Sequence, residues 1–113
     1  MNNLKNKVQL IGHLGMDPEI KAINGKSKLA KFRLATNETY KNDKGEKVEE
    51  TQWHNLIAWG TKADFAEKYL TKGIEVVVEG KLINKSYTDK NDVKRYITEV
   101  MVSEMVIISR KAK

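Results

Sequence analysis

An all-β domain, built as a five-stranded Greek-key barrel with one short helix between strands 3 and 4, is the fold this sequence predicts. Three observations predict it. Apolar residues alternate with polar ones through most of the chain, one window alone has helical spacing, and the order is three strands, that helix, then two strands. The 113 residues form a single domain, 1–113. A chain of this size buries roughly 65% of its unfolded surface in one core.

The first strand runs from Leu4 to Leu14, with Leu4, Val8, Leu10 and Leu14 on one parity. "MDPE" follows as a turn, since Pro18 presets φ and Asp17 can bond the backbone. Glu19 to Ile23 is a short extension closed by the turn signal "NGKS". In "KLAKFRLATN", Ala30, Phe32 and Leu34 make an apolar side, while Lys31 and Arg33 put two cations on the other. "ETYKNDKGEKVEE" is a charged hairpin arm with its tip at Lys44-Gly45, and the strand Thr51 to Trp59 returns from it. The period then changes. Ala63, Ala66 and Leu70 have helical spacing, with Phe65 and Tyr69 four apart alongside, which predicts a helix near Lys62 to Thr71. Thr61 is its expected N-cap, Asp64 completes a capping box, and Gly73 ends it. "IEVVVEGKLINKSY" is the fourth strand, with Val76 to Val78 able to be buried on both faces; "TDKND" is a turn and "KRYITEVMVSEMVIIS" the closing strand.

That order excludes a ferredoxin-like or RNA-recognition domain, which needs a helix after its first strand, and a Rossmann unit, which alternates throughout. It matches the OB-fold, which binds oligonucleotides across its second and third strands and their loops. Twenty-one Lys and Arg against fifteen Asp and Glu leave a net charge of +6, which favours a polyanionic partner. No run approaches the ~18 apolar residues of a membrane span, and no basic-then-apolar leader precedes the first strand. The absence of cysteine excludes disulfides and thiolate metal sites.

Catalysis finds no support. His13 and His54 lie on different strands, no acidic cluster has metal-ligand spacing, and Glu49 and Glu50 point to opposite faces of a hairpin stem. No metal or cofactor is expected. "GHLG" matches the GxxG loop of KH domains only superficially, because it ends a strand and does not join two helices. Aromatic and basic residues carry the stronger signal. Trp53 and Trp59, six apart in "TQWHNLIAWG", share one face of a strand with Asn55 and Ile57, about 20 Å from end to end. In isolation that strand allows two readings, a core filled by indoles or an exposed stacking platform. Asn55 between the indoles favours the platform. Tyr40 and Tyr87 add aromatic surface, and Lys31, Arg33, Lys41, Lys62 and Lys85 are the cations expected to follow phosphates.

The whole chain resembles bacterial single-stranded DNA-binding proteins. The likeness runs from "NKVQLIGHLGMDPEI" through "ATNETYKN", "TQWHNLIAWGTKADFAEKYLTKG" and "VVVEGKLINKSYTD" to "RYITEVMV", in order and with unbroken spacing. It implies an OB-fold homotetramer, not an enzyme, that coats single-stranded DNA in replication, recombination and repair, in the bacterial cytoplasm and at the nucleoid. Four aromatic positions of the family stack bases, and they correspond to Tyr40, Trp53, Trp59 and Tyr87. The family more often has tryptophan where Tyr40 and Tyr87 stand and phenylalanine where Trp59 stands; each exchange keeps a stacking surface. His54 matches a histidine at subunit contacts. The apolar first strand, with Asn6, Val8 and Leu10, is expected at the same interface, since such an edge is usually covered. His13 replaces a usual asparagine and receives no role. Cellular members usually continue into a flexible tail with an acidic tip that recruits repair proteins. This sequence stops at "SRKAK", so tail-mediated recruitment is not expected of it. The rivals are a primosome-type or RNA-binding OB module, an OB-fold nuclease, and a purely structural oligomer.

Overall fold

Alternation along "LAKFRL" sends Ala30, Phe32 and Leu34 to one side of a strand, and all three are fully buried. The computed structural model describes residues 5–23 and 27–109, arranged as β1 (Val8–Leu14), β2 (Glu19–Ile23), β3 (Ser27–Lys41), β4 (Lys47–Trp59), α1 (Thr61–Tyr69), β5 (Glu75–Thr88) and β6 (Lys94–Ser109). The sheet order is β1-β5-β6-β4-β3-β2, and a further β1–β3 pairing at His13↔Ala35 and Leu14↔Leu34 closes five strands into a barrel. This is the OB arrangement. Gly12 makes the closure possible, because a Cβ there would stand 2.1 Å from the Ala35 carbonyl oxygen.

Three local expectations need correction. Glu19–Ile23 is a strand in its own right, paired with β3 from Glu19↔Lys31 to Ile23↔Ser27, so the helix follows the fourth strand and not the third. It still separates the same two barrel strands. The first strand begins at Val8, because a side chain takes over the ladder beyond it. Asn6 Nδ2 donates to the Leu82 carbonyl at 3.1 Å, and Asn6 Oδ1 accepts from the Leu82 N–H at 2.9 Å. Leu4, the middle of the "NGKS" turn and the terminal "RKAK" lie outside the described residues. The helix is Thr61–Tyr69 with Gly60 as N-cap at φ 58°, so Thr61 sits inside the first turn and no side chain caps it. Asp64 faces Lys28 at 3.4 Å and not the helix end. Leu70 turns extended and buried, which ends the helix before Thr71.

The core joins Leu14, Phe32, Leu34, Leu56, Ile74, Val76, Val78, Val100 and Val102 with Ala63 and Ala66 from α1 and Leu70 just beyond it. Each large side chain moved from water contributes ~1.5–3 kcal/mol. Val77 is only half-buried between the two fully buried valines. Beyond the barrel two ribbons continue. The β3–β4 arm reaches Lys41↔Lys47, where Asn42 Oδ1 accepts from the Lys44 and Glu46 N–H groups. The β5–β6 arm reaches Thr88↔Lys94. Asn37 to Lys41 and Asn84 to Thr88 are exposed throughout.

Candidate nucleic-acid interface

Residues paired directly across a sheet share a face, so the register maps the site. Ala35↔Trp53, Arg33↔Asn55, Lys31↔Ile57 and Leu29↔Trp59 place both indoles and both cations on the outer face of β3–β4. Ile57↔Met101 and Lys81↔Met101 carry that face across β6 to β5. Continuing the parallel β4–β6 register by one residue sets Glu99 beside Asn55, and Glu99↔Ile83 completes a second row. The same parity holds Ile97, Lys85 and Tyr87 farther along the β5–β6 arm. One continuous face therefore collects Lys31, Arg33, Trp53, Trp59, Lys85 and Tyr87.

Trp53 is 50% exposed and Trp59 40%, which removes the core reading for both. The Trp53 indole is nonetheless held. The Arg33 guanidinium lies 5.0 Å from its ring centre, close enough for a cation–π contact. On another side the ring meets Gly15, where an added Cβ would lie 2.3 Å from Cζ3. A Gly15→Ala protein is expected to fold while its indole is displaced. Its affinity for oligo-dT should fall by up to the ~1–3 kcal/mol of one stacked base, with Trp59 still quenched. Unchanged affinity and quenching, measured by fluorescence titration, would refute the idea that Gly15 sets the indole's pose.

Tyr87 and Tyr40 stand half-exposed on their arms. Tyr40 pairs with Val48 and so has the opposite parity from Trp53. It extends the site along a two-stranded ribbon, whose twist exceeds that of the broad sheet, and not within the flat row.

The expected phosphate-contacting residues divide into two groups. Among the described residues no carboxylate pairs with Lys31, Arg33 or Lys41. Lys62 instead lies 3.5 Å from Glu104, and Lys85 lies 3.1 Å from Glu99. Glu99 is the residue that sequence reasoning missed. It is only 7% exposed, its Oε1 has no aligned hydrogen bond, and it shares a cavity of about 190 Å³ with Lys31, Arg33 and Asn55. A buried carboxylate without a partner is costly, so the Lys85 ammonium is its counter-charge. A single charge inside the apolar run "YITEVMV" was the available signal. Elsewhere, Asp89 closes the β5–β6 turn by accepting from the Asn91 and Val93 N–H groups. The Arg95 guanidinium, hydrogen-bonded at 2.9 Å, and then the Val93 N–H hold its carboxyl below the usual aspartate value. At the other end Glu67, and then Asp64, raise the Lys28 ammonium above its ordinary value and tie β3 to α1.

This geometry can be set beside known proteins. The model of the single-strand binding protein family matches residues 5–108. The chain belongs to that family. Single-stranded DNA-binding protein 1 of Chlorobaculum tepidum is 42% identical over 107 residues, covering 94% of this chain and 66% of that protein. Single-stranded DNA-binding protein 1 of Xylella fastidiosa is 40% identical, covering 94% of this chain and 79% of that one. A solved structure of Plasmodium falciparum SSB in complex with ssDNA aligns with TM-score 0.84 and 34% identity, over 92% of this chain and 95% of its own.

Of the four residues expected at a subunit contact, Leu10 and His54 line one groove away from the indole face, whereas Asn6 is bonded to Leu82 and, like Val8, lies outside that groove. β1 pairs with β5 from Val8 to His13 but with β3 only at its end, so Val8–Gly12 keep one edge without a strand partner among the described residues. Between that edge and the β3–β4 arm runs a groove of about 450 Å³ lined by Gln9, Leu10, Ile11, Thr36, Gln52 and His54. His54 Nε2 lies 3.0 Å from Thr36 Oγ1. Val8 and Leu10 pack partly against the core, while Ile11 on the alternate parity faces outward. Among the described residues no group of three or more His, Cys, Asp or Glu is placed to hold a metal, and no helix is long and apolar enough to cross a membrane.

Proposed function

We propose that this member of the single-strand binding family coats single-stranded DNA without reading its sequence, as a homotetramer serving replication, recombination and repair at the bacterial nucleoid. One observation carries this reading: two exposed indoles share a face with two cations that form no ion pair among the described residues. Every base has a π-face, so Trp53, Trp59, Tyr87 and Tyr40 hold bases of any identity while Lys31, Arg33 and Lys41 follow the phosphates. Lys62 and Lys85 join only by exchanging a carboxylate for a phosphate. The relatives' names point to DNA, and competition between DNA and RNA oligonucleotides of equal length separates the RNA-binding alternative.

Phosphate neutralisation releases counterions, so log affinity for oligo-dT should fall against log salt by about 0.7 per phosphate contacted. Replacing Lys31 and Arg33 by alanine should flatten that slope by roughly 1.4, one contact for each cation. A slope that does not change takes both cations off the DNA path.

The open edge of β1 and the groove beneath His54 support the tetramer. Light scattering should give about four times 12.9 kDa. His54→Lys should lower that mass, because an ammonium at a closed contact is costly unless paired. A stable monomer at micromolar concentration would overturn the assembly and leave the DNA platform standing.

A further inference from the structure

A carboxylate buried in the middle of a face that suits an anion is electrostatically out of place. Glu99 is 7% exposed, and the β4–β6 register sets it beside Asn55, between the two indoles. Together with Lys31, Arg33, Met16 and Ile97, these two residues line a cavity of about 190 Å³. A buried charge is costly unless it is both paired and hydrogen-bonded. Glu99 is paired from the β5–β6 arm alone. The Lys85 ammonium reaches its Oε1 at 3.1 Å without the alignment of a hydrogen bond, and half of the Lys85 side chain stays in water. The exposed Asn55 side-chain amide makes no hydrogen bond among the described residues.

A purely structural bracket between β5 and β6 would not need this chemistry, since apolar residues often replace a buried ion pair without loss. What the cavity offers is an acceptor, the Glu99 carboxylate, and an amide that both donates and accepts, Asn55. Asn55 is two residues from Trp53, about 7 Å along the strand. One base can therefore rest its ring on the indole and turn its pairing edge over the cavity. The bases differ at that edge. Cytosine, adenine and guanine each carry an exocyclic amino group, from which a carboxylate accepts. Thymine and uracil present a single N–H between two carbonyl oxygens, whose lone pairs face the carboxylate.

We infer that Glu99 and Asn55 form a subsite for the amino-bearing edge of a base, with cytosine preferred to thymine or uracil, in a face otherwise indifferent to base identity. The inference rests on the single-stranded DNA reading proposed above. It also gives the condition for releasing Lys85. The ammonium leaves Glu99 for a phosphate when another donor takes its place on the carboxylate, and the amino group is that donor. A strand without amino groups leaves Lys85 on Glu99. Base choice and phosphate contact are thus linked through one buried residue.

The test uses the full chain with oligo-dC and oligo-dU of about 16 nucleotides, at mildly alkaline pH where cytosine is neutral. Uracil stands in for thymine so that the methyl group plays no part. For the parent protein, the salt slope with oligo-dC should exceed that with oligo-dU by about 0.7, the one phosphate that Lys85 gains. Glu99→Gln should lower the ratio of dC to dU affinity by at least about 5-fold, the lower end for a good base-edge pair. Its amide accepts from cytosine or donates to uracil alike, and taking the ratio against the parent cancels differences in stacking. In that variant Lys85 is free with either base, so the two slopes should coincide. An equal gain for both bases would make Glu99 only a restraint on Lys85, and unchanged ratio and slopes would make it only a bracket. Either result overturns the inference while the indole platform stands. If Glu99→Gln does not fold, the parent's two slopes decide alone, and equal slopes overturn it. If the parent protein binds neither oligonucleotide, the underlying reading fails and the subsite falls with it.

Discussion

Replacing Trp53 and Trp59 together by alanine should weaken oligo-dT binding by roughly 30-fold at the least and leave a folded protein. Each stacked base contributes ~1–3 kcal/mol, or about 5- to 150-fold. The two positions lie about 20 Å apart along β4, far enough for their losses to add. In the parent protein oligo-dT should quench most of the tryptophan emission, because the chain has no third tryptophan to dilute the signal. The double variant has none, so its binding is read from the anisotropy of a labelled oligonucleotide. Stability should change little, because half of each indole, or nearly so, already faces water. A large fall in the unfolding midpoint with affinity unchanged would return the indoles to a structural role.

The complementary expectation sits beside Arg33 on β3. Phe32 is 2% exposed and packs in the barrel core, so Phe32→Ala should cost ~3–5 kcal/mol of stability. That is a large share of the ~5–15 kcal/mol holding a domain together, and it should lower the thermal midpoint by roughly 10–20 °C. Oligo-dT affinity measured well below the new midpoint should stay near the parent value. Lys31→Ala and Arg33→Ala should show the reverse, with salt-dependent binding lost and the midpoint retained. If Phe32→Ala instead lost affinity at full stability, the division of β3 into a core side and a DNA side would be wrong.

That division was legible before any coordinates. A period of two along "LAKFRLA" and "QWHNLIAW" assigns each side chain to a face, and Asn55 between the indoles marks which face is wet. The helix was legible from its spacing, but its boundaries were not. A capping box at Thr61 and Asp64 is a local preference, and two tertiary facts outweigh it: Gly60 turns the chain at φ 58°, and Lys28 from β3 engages Asp64. The short strand Glu19–Ile23 escaped because five residues with only two half-buried positions gain strand character only from pairing with β3.

Two matters were beyond any local pattern. Whether Lys62 and Lys85 are free cations depends on Glu104 and Glu99, which approach them only in the folded barrel. Strand order decides the rest. Pleat and turn chemistry act over a few neighbours, so the strand faces, the charged hairpin arm and the aromatic and basic residues on them are readable from residue order. No local pattern places β6 parallel to β4, with Leu56 opposite Val100 and Ile57 opposite Met101. That register joins residues 44 apart, is set by closure of the barrel, and brings a buried carboxylate to the middle of a cationic face.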